Sequence, residues 1–585
     1  MSAPPATGRR RRGADRERPH SAGRFLWLLS LLLAMLVAVG GRLVYIQVVK
    51  GPEYAAAATE QRTRDITISP ERGFIFDREG EVLAESMEAR TIYAVPDAVA
   101  DKAGAAQMIA SAIGGDPASY EEKLSRDTGF VYIARKVDVA LADTLREHEI
   151  EGLGFIEDSR RVYPSNELAC QVLGFVGVDD EGLSGLEFYY DDLLAGTPGR
   201  LIAERDNRGR PIPGGVTYEE EAVDGQDIVL TIDKDIQYQA QVALAEAVEE
   251  WGAKAGSVIV MDPRNGEILA MASVPQFNPN RFSEAAGEAY RARSIVDTYE
   301  PGSTIKSLTA AAVIDAGLHS PDSTFELPPT IEAGGRTIHE SHERETVTWS
   351  LTDIVTQSSN VGAVKLGLAL GEDGLYDYFA RFGLTAVTGV DYPGEVKGWL
   401  PTTDQWSPSS LATITFGQGI SVTPLQLARA LSAIANDGYL VTPHFLKETR
   451  GEVEEGPVLE TERAINAETA EAMRVVLADV VNEGTGAAAA VPGYQVAGKT
   501  GTAQKARTDG VAGYAKGKYV ASFSGFLPAD DPRVLIIVNI DEPSEAIYGG
   551  TVAAPTFARI AAYCVDHLKI PPGSPVTGAS QGDGQ

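Results

Sequence analysis

The chain has 585 residues, 44% of them hydrophobic and 23% charged, with a formal net charge of −31. That length exceeds one domain and can bury at least two substantial cores, and the composition excludes a disordered protein. The charge is uneven: residues 1–24 hold seven arginines against Asp15 and Glu17, a net of +5, so the remainder carries −36. So acidic a body argues against nucleic-acid binding, which needs a basic face to neutralise phosphates. The two cysteines, Cys170 and Cys564, exclude a disulfide framework and a cysteine metal site, and read as buried free thiols.

Residues 1–23 are rich in Pro, Arg and Ser and read as a disordered tail. Phe25 to Gly41 is a run of 17 residues without a charge. As a helix it spans about 25 Å, short of a hydrocarbon core of roughly 30 Å. Continuing past Arg42 through Leu43 to Ile46 makes up the length, with Arg42 reaching toward the far interface. Residues 24–46 are therefore expected to be a transmembrane anchor, with the arginine-rich tail holding the N-terminus in the cytoplasm. The competing reading is a signal peptide cleaved near Ala38-Val39-Gly40. The long tail and long apolar run favour the uncleaved anchor.

Residues 51–217 are of mixed composition, with short strand-like runs and turns. The stretches Glu71 to Arg78, Arg161-Val162-Tyr163-Pro164 and Gly182 to Glu187 show no catalytic constellation and read as turns and salt-bridged packing. The acidic stretch 218–227 reads as an inter-domain linker. A second domain, 228–568, opens with a strand at Ile228–Ile232, followed by a helix from Asp235 to Glu250. The turn Asp262-Pro263-Arg264-Asn265-Gly266 between two apolar runs predicts a hairpin. Strands are expected again at 495–499, 519–526 and 534–540, and a closing helix at 556–568. Strands, then helices, then strands predict an α/β layer domain with an antiparallel sheet. The tail 571–585 is Pro/Gly/Ser-rich and reads as disordered. His339-Glu340-Ser341-His342-Glu343 superficially resembles a zinc-protease helix, but its second histidine falls one residue short of the i, i+4 spacing. A solvated loop is the expectation there.

The chemistry centres on Tyr299-Glu300-Pro301-Gly302-Ser303-Thr304-Ile305-Lys306. Pro301-Gly302 signals a turn, and Ser303 to Ala316 reads as a helix stopped by Gly317. Lys306 then lies about one turn from Ser303 on the same face, the spacing of a nucleophile beside its base. An ordinary lysine, with a pKa of ~10.4, is neutral at pH 7 in only about one molecule in 2500. A base role therefore requires burial and a second cation nearby, both of which favour the neutral amine. Ile305, Leu308 and Ala310 to Val313 supply apolar surroundings. An ordinary helix start is the bland alternative. Against it, the sequence contains one Ser-x-x-Lys at Ser303–Lys306, one Ser-x-Asn at Ser358–Asn360 and one Lys-Thr-Gly at Lys499–Gly501, in that order.

That ordered set resembles the signature of β-lactamases and penicillin-binding proteins. Tyr299 to Ser303, Phe416 to Gln426 and Lys499 to Gln504 resemble class B penicillin-binding proteins, and Tyr548-Gly549-Gly550 with Ala553-Ala554-Pro555 resembles the cell-division members. The likeness runs from about Gly51 to about Leu568. It implies a pedestal, dimerisation-type domain over 51–217, which spaces the catalytic domain from the membrane and docks partners, and a transpeptidase fold over 228–568. The implied reaction starts with acylation of Ser303 by a stem peptide ending in D-Ala-D-Ala. An amine of a neighbouring stem peptide then resolves the acyl-enzyme, and β-lactams acylate the same serine. Lys306 is the implied base and Lys499 the second cation. By the same resemblance Ser358 passes a proton to the leaving amine, Asn360 holds the substrate amide, and Thr500 and Thr502 meet the carboxylate. The oxyanion hole falls to the backbone N–H groups of Ser303 and Thr502. Gly501 is expected to let backbone and substrate approach on an edge strand. The resemblance implies no metal or organic cofactor. Its implied partners are a membrane-embedded glycan polymerase and divisome proteins, met through pedestal and anchor. A bacterial cell-membrane protein of septal synthesis is the leading expectation. Elongation-type transpeptidase, D,D-carboxypeptidase or β-lactamase, β-lactam sensor and idle division scaffold are the alternatives. No carboxylate is assigned to activating water, and 24 cytoplasmic residues are few for a sensor.

Overall fold

The computed structural model describes residues 21–204, 217–451, 456, 461–507 and 513–576. Most of the two expected tails, 1–20 and 577–585, lies outside them. Contacts divide the chain into two units, one of residues 1–69 and 198–222, the other of residues 70–197 and 223–585.

The first unit holds the apolar run as a helix, Ser21–Val44, continued by the π-helical turn Tyr45–Val49. Among the described residues, Gly23–Val49 is the one helix long and apolar enough to cross a membrane, and none of it is buried. A second helix, Gly51–Arg62, leads into the strand Thr63–Ile68, which pairs antiparallel with Gly199–Glu204. That strand pairs in turn with Thr217–Glu220. Part of the stretch expected to be a linker is thus a strand.

In the second unit the strand expected to open a new domain, Asp227–Leu230, joins a different sheet. It pairs parallel with Ile75–Phe76 and antiparallel with Leu446–Arg450. The three early motifs converge on one buried ionic cluster. Glu187, wholly buried, accepts hydrogen bonds from Arg72 Nε and Arg161 Nε, each at 2.7 Å, and from Tyr163 Oη at 3.2 Å. Two guanidinium groups on one carboxylate leave no charge of that carboxylate uncompensated.

The catalytic part of this unit is built on a five-stranded antiparallel sheet. Helix α1 (Lys234–Glu250), capped by Asp233, precedes strands β1 (Ala255–Met261) and β2 (Ile268–Val274), the expected hairpin. Helices α2 (Ile305–Asp315), α3 (Leu351–Thr356), α4 (Asn360–Arg381) and α5 (Ala467–Asn482) follow. Strands β3 (Ala497–Ala506), β4 (Tyr514–Leu527) and β5 (Val534–Asp541) and helix α6 (Ala554–His567) complete it. The strand order is β2-β1-β5-β4-β3, which leaves β3, the Lys499 strand, at an edge. Alternation along the strands feeds two cores. Ile259, Met261, Leu535 and Ile537 pack with α2 and α5, while Val258, Val260, Ile536 and Val538 pack with α1 and α6. The sheet is covered on both faces, so β1, β2 and β5 read as near-continuous apolar runs, whereas the edge strand β3 carries Lys499, Thr500 and Thr502. Pro571–Val576, expected to be disordered, is held instead: Ser574 N donates to Asp530 Oδ2 at 2.6 Å and Val576 N to Gln495 Oε1 at 2.6 Å.

Candidate active site

The turn before α2 places the nucleophile candidate. Gly302 takes φ +55°, a left-handed conformation that glycine adopts without cost, and Gly302–Thr304 forms a single 3-10 turn leading into α2. Ser303 therefore stands just before the α-helix, and Lys306 in its first turn. Gly417 explains part of the Phe416–Gln426 motif. Its N–H-side loop lies so close to the turn that a Cβ there would sit 2.2 Å from Gly302 O. Thr423 and Gln426 then form a capping box that fixes the next helix, Pro424–Ala435.

Lys306 is only 1% exposed, and its Nζ meets three acceptors: Ser358 O at 2.6 Å, Asn360 Oδ1 at 2.8 Å and Ser358 Oγ at 3.3 Å. An ammonium has three protons for these three contacts; the neutral amine has two and a lone pair. The Ser358 hydroxyl is the one partner that can turn and donate to that lone pair. Proton loss at Lys306 is thereby coupled to reorientation of Ser358. Burial pushes the Lys306 pKa well down, Lys499 pushes it further down, and Glu340 opposes them. Lys499, also 1% exposed, is pushed down by burial to about 7 and donates to Thr500 Oγ1 at 3.3 Å.

Ser358 lies outside the two helices that flank it. It sits in the break between α3 and α4 with φ +57°, a strained conformation for a residue with a Cβ, costing on the order of 1–2 kcal/mol. The site residue missed in the sequence is Glu340. The loop is solvated at His339 and from Ser341 to Glu343, as expected, but the Glu340 side chain turns inward and is 7% exposed. Its carboxylate accepts from Ser359 Oγ at 2.6 Å and Asn360 N at 2.7 Å, and pairs with Arg344. His339 O accepts from Asn360 Nδ2 at 3.0 Å. The loop thus clamps the Ser-x-Asn segment. The only sequence signal was an acidic residue flanked by histidines, which pointed toward metal chemistry.

On β3, Gly501 is explained differently from the sequence expectation. A Cβ at this position would lie 2.3 Å from Ser522 Oγ, 2.9 Å from Thr304 Oγ1 and 3.1 Å from Pro301 O. The glycine lets the strand close onto the Ser303 turn, on the protein side of the strand. Thr500 Oγ1 lies 2.9 Å from Thr485 Oγ1, and Thr502 Oγ1 accepts from Gly549 N at 3.1 Å. The Tyr548-Gly549-Gly550 motif therefore abuts the Lys-Thr-Gly strand. Lys306 touches Ser358 and Asn360 and lies within electrostatic reach of Lys499 on the edge strand, which Thr500, Gly501 and Thr502 continue.

A serine and two depressed lysines against an edge strand, on an antiparallel sheet covered on both faces, define a serine acyl-transfer fold of the penicillin-binding class. A family model for the penicillin-binding protein transpeptidase domain matches residues 256–562, and one for the penicillin-binding protein dimerisation domain matches residues 67–230. Penicillin-binding protein PbpB of Mycolicibacterium smegmatis is 36% identical, covering 93% of this chain and 91% of that one. Peptidoglycan D,D-transpeptidase FtsI of Escherichia coli is 33% identical over 95% of this chain and 93% of its own. Among solved structures, penicillin-binding protein 3 of Mycobacterium tuberculosis in complex with aztreonam is 33% identical with a TM-score of 0.69, covering 87% of this chain and 99% of that one. The chain belongs to the class B penicillin-binding proteins.

Proposed function

We propose that Ser303 is the nucleophile of this peptidoglycan D,D-transpeptidase and that neutral Lys306 is its base. The observation that carries the assignment is the Lys306 amine, buried, beside a second buried lysine, and in contact with both Ser358 and Asn360. Ser303 Oγ attacks the carbonyl of the penultimate D-Ala while Lys306 takes its proton. The tetrahedral intermediate collapses, the C–N bond breaks, and the proton passes through Ser358 to the departing amine of the terminal D-Ala. An amine of a second stem peptide then attacks the ester, loses a proton along the same route reversed, and releases Ser303. Lys499, Thr500 and Thr502 meet the terminal carboxylate, and Asn360 holds the substrate amide. β-Lactams acylate Ser303 and stop the cycle.

The Gly23–Val49 helix, following an arginine-rich tail, supports a single crossing with the N-terminus in the cytoplasm and the catalytic unit outside. We assign residues 51–217 to a pedestal and 228–568 to the transpeptidase domain. Septal synthesis, with a membrane-embedded glycan polymerase and division proteins as partners, rests on the Tyr548-Gly549-Gly550 resemblance. A fluorescent fusion at the sidewall rather than the septum overturns the septal assignment in favour of elongation.

The mechanism is tested by fluorescent penicillin. Wild type is expected to label stoichiometrically and Ser303→Ala not at all. Lys306→Arg keeps a cation but cannot give up its proton, so it is expected to acylate ~10²–10⁴-fold more slowly, as removal of a general base does. A Lys306→Arg protein within about tenfold of wild type rules out the base role.

A further inference from the structure

A cavity of about 800 Å³ opens beside the site, walled by Tyr299 and Glu300, by Gly419–Ser421 and by Ala503–Arg507 at the far end of β3. Its volume lies in the range of small-molecule sites. Trp399 lines it with 58% of its surface exposed. A lone exposed aromatic residue needs no explanation. This one differs because its backbone is fixed by a two-way bridge to Ser421, N–H to O at 2.7 and 2.9 Å. The backbone that carries the indole is thus fixed at the wall of a cavity.

The polar lining narrows the ligand. Cationic and anionic side chains line the cavity in nearly equal number. Several are already paired: Asp297 accepts from Arg291 Nε at 3.0 Å and Arg293 Nη1 at 2.8 Å, and Asp541 from Lys505 Nζ at 2.7 Å. Asn539, 6% exposed, lines the cavity too, and its Oδ1 has no hydrogen-bond partner among the described residues. Such a wall offers many donors and acceptors with little net charge. It suits a neutral polyhydroxyl ligand with an apolar face for the indole, and suits an isolated ion poorly.

Position supplies the occupant. With the terminal carboxylate at Thr500 and Thr502, as proposed above, a stem peptide that extends along β3 away from Lys499 runs toward Gln504–Arg507. A strand rises ~3.3 Å per residue, so Ala506, the last residue of β3, lies at most about 13 Å beyond Thr502. Four extended residues cover about 13 Å. The end of the stem that is attached to sugar therefore arrives at this cavity. Resting on the proposed transpeptidase reading, we propose that the cavity, with Trp399 as its aromatic wall, binds the amino-sugar of the glycan strand that carries the donor stem peptide.

The test uses the full-length protein in detergent, with chitotetraose, a β-linked N-acetylglucosamine oligomer, as probe. Saturation-transfer NMR is expected to show saturable binding that Trp399→Ala weakens about tenfold, the upper end of what one aromatic face contributes. Trp399→Phe is expected to fall between the two. In cross-linking assays the ratio of kcat/KM for a glycan-bearing donor over a glycan-free donor should drop about tenfold in Trp399→Ala, through KM. Absent chitotetraose binding, or binding indifferent to Trp399→Ala in protein whose melting temperature matches wild type, overturns the proposal. Equal losses on both donors also overturn it, in favour of a peptide occupant. Failure of the transpeptidase reading shows separately, as wild type that fluorescent penicillin does not label at Ser303.

Discussion

Glu340 is the anion closest to the acid–base chemistry, and it acts on Lys306 in two ways. Through Ser359 and Asn360 it fixes the segment that touches the amine, and its charge raises a Lys306 pKa that burial and Lys499 lower. In the proposed mechanism the reactive form is the neutral amine, so acylation is expected to rise as pH climbs through the folded-state pKa of Lys306. Removing the Glu340 charge takes away the raising influence, and the pKa falls further. Glu340→Gln is therefore expected to shift the acid limb of the acylation–pH profile to lower pH and to lower its plateau, the second effect because Asn360 loses a charged anchor. A hydrogen bond to a charged group contributes about 1.5–3 kcal/mol, which bounds the plateau loss at roughly 10–150-fold. Glu340→Asp should leave the limb near its wild-type position. A plateau that falls while the limb stays put in Glu340→Gln would show that Glu340 only holds the loop. Acylation rates with a chromogenic β-lactam from pH 5 to pH 10 distinguish the two.

At the scale of elements, the contact between β3 and the turn before α2 decides whether the residues meet at all. Gly501→Ala inserts a methyl 2.3 Å from Ser522 Oγ, with Thr304 and Pro301 behind it. Ser522 is 1% exposed and Thr304 wholly buried, so neither can swing into solvent. The strand must lift away from Ser303. Overpacking of this kind costs roughly 1–3 kcal/mol, and displacement of catalytic groups by about 1 Å can cost 10²-fold in rate. Calorimetry is expected to show a lowered Tm together with a large loss of penicillin acylation; retention of both refutes the close-packing account. These examples also show how far the sequence could be read. Turn and helix-start chemistry gave away Pro301-Gly302 and the helix of Lys306, and apolar runs gave β1, β2, β5 and the buried half of β4. Strand β3, expected over 495–499, runs instead over 497–506 because its Lys-Thr-Gly stretch carries no apolar signal. Gly501 was legible as a glycine with a purpose, yet whether its bare face meets substrate or Thr304 depends on tertiary packing. The left-handed Ser358 was illegible because nothing local to Gln357-Ser358-Ser359-Asn360 demands it; the strain is sustained by Lys306, 52 positions away. Glu340 was misread for the same reason, since its partners lie in another segment.

On the scale of the whole molecule, the boundary suggested by the acidic stretch before Ile228 does not coincide with a boundary of the hydrophobic core. Ile75, Leu83, Ala84, Val172, Leu173 and Leu186 belong to the same buried cluster as Ile228, Leu230, Ile259 and Leu308. The strand Asp227–Leu230 has Ile75–Phe76 as its parallel neighbour. A chain beginning at 228 therefore loses a strand partner and exposes the apolar surface those six residues cover. Burying one such aliphatic side chain contributes about 1.5–3 kcal/mol, so losing several is comparable with the whole 5–15 kcal/mol of a typical domain. Residues 70–576 retain the described parts of the second unit, including the Arg72–Glu187–Arg161 cluster. The expected outcome is that 70–576 is monodisperse, melts cooperatively and binds penicillin, whereas 228–576 aggregates or melts many degrees lower. Size-exclusion chromatography, calorimetry and fluorescent-penicillin labelling of both chains measure this. A 228–576 chain with the Tm and labelling rate of 70–576 would mean that the early segment contributes little to the stability of the catalytic sheet, and that its shared core is only an accommodation of one surface to another.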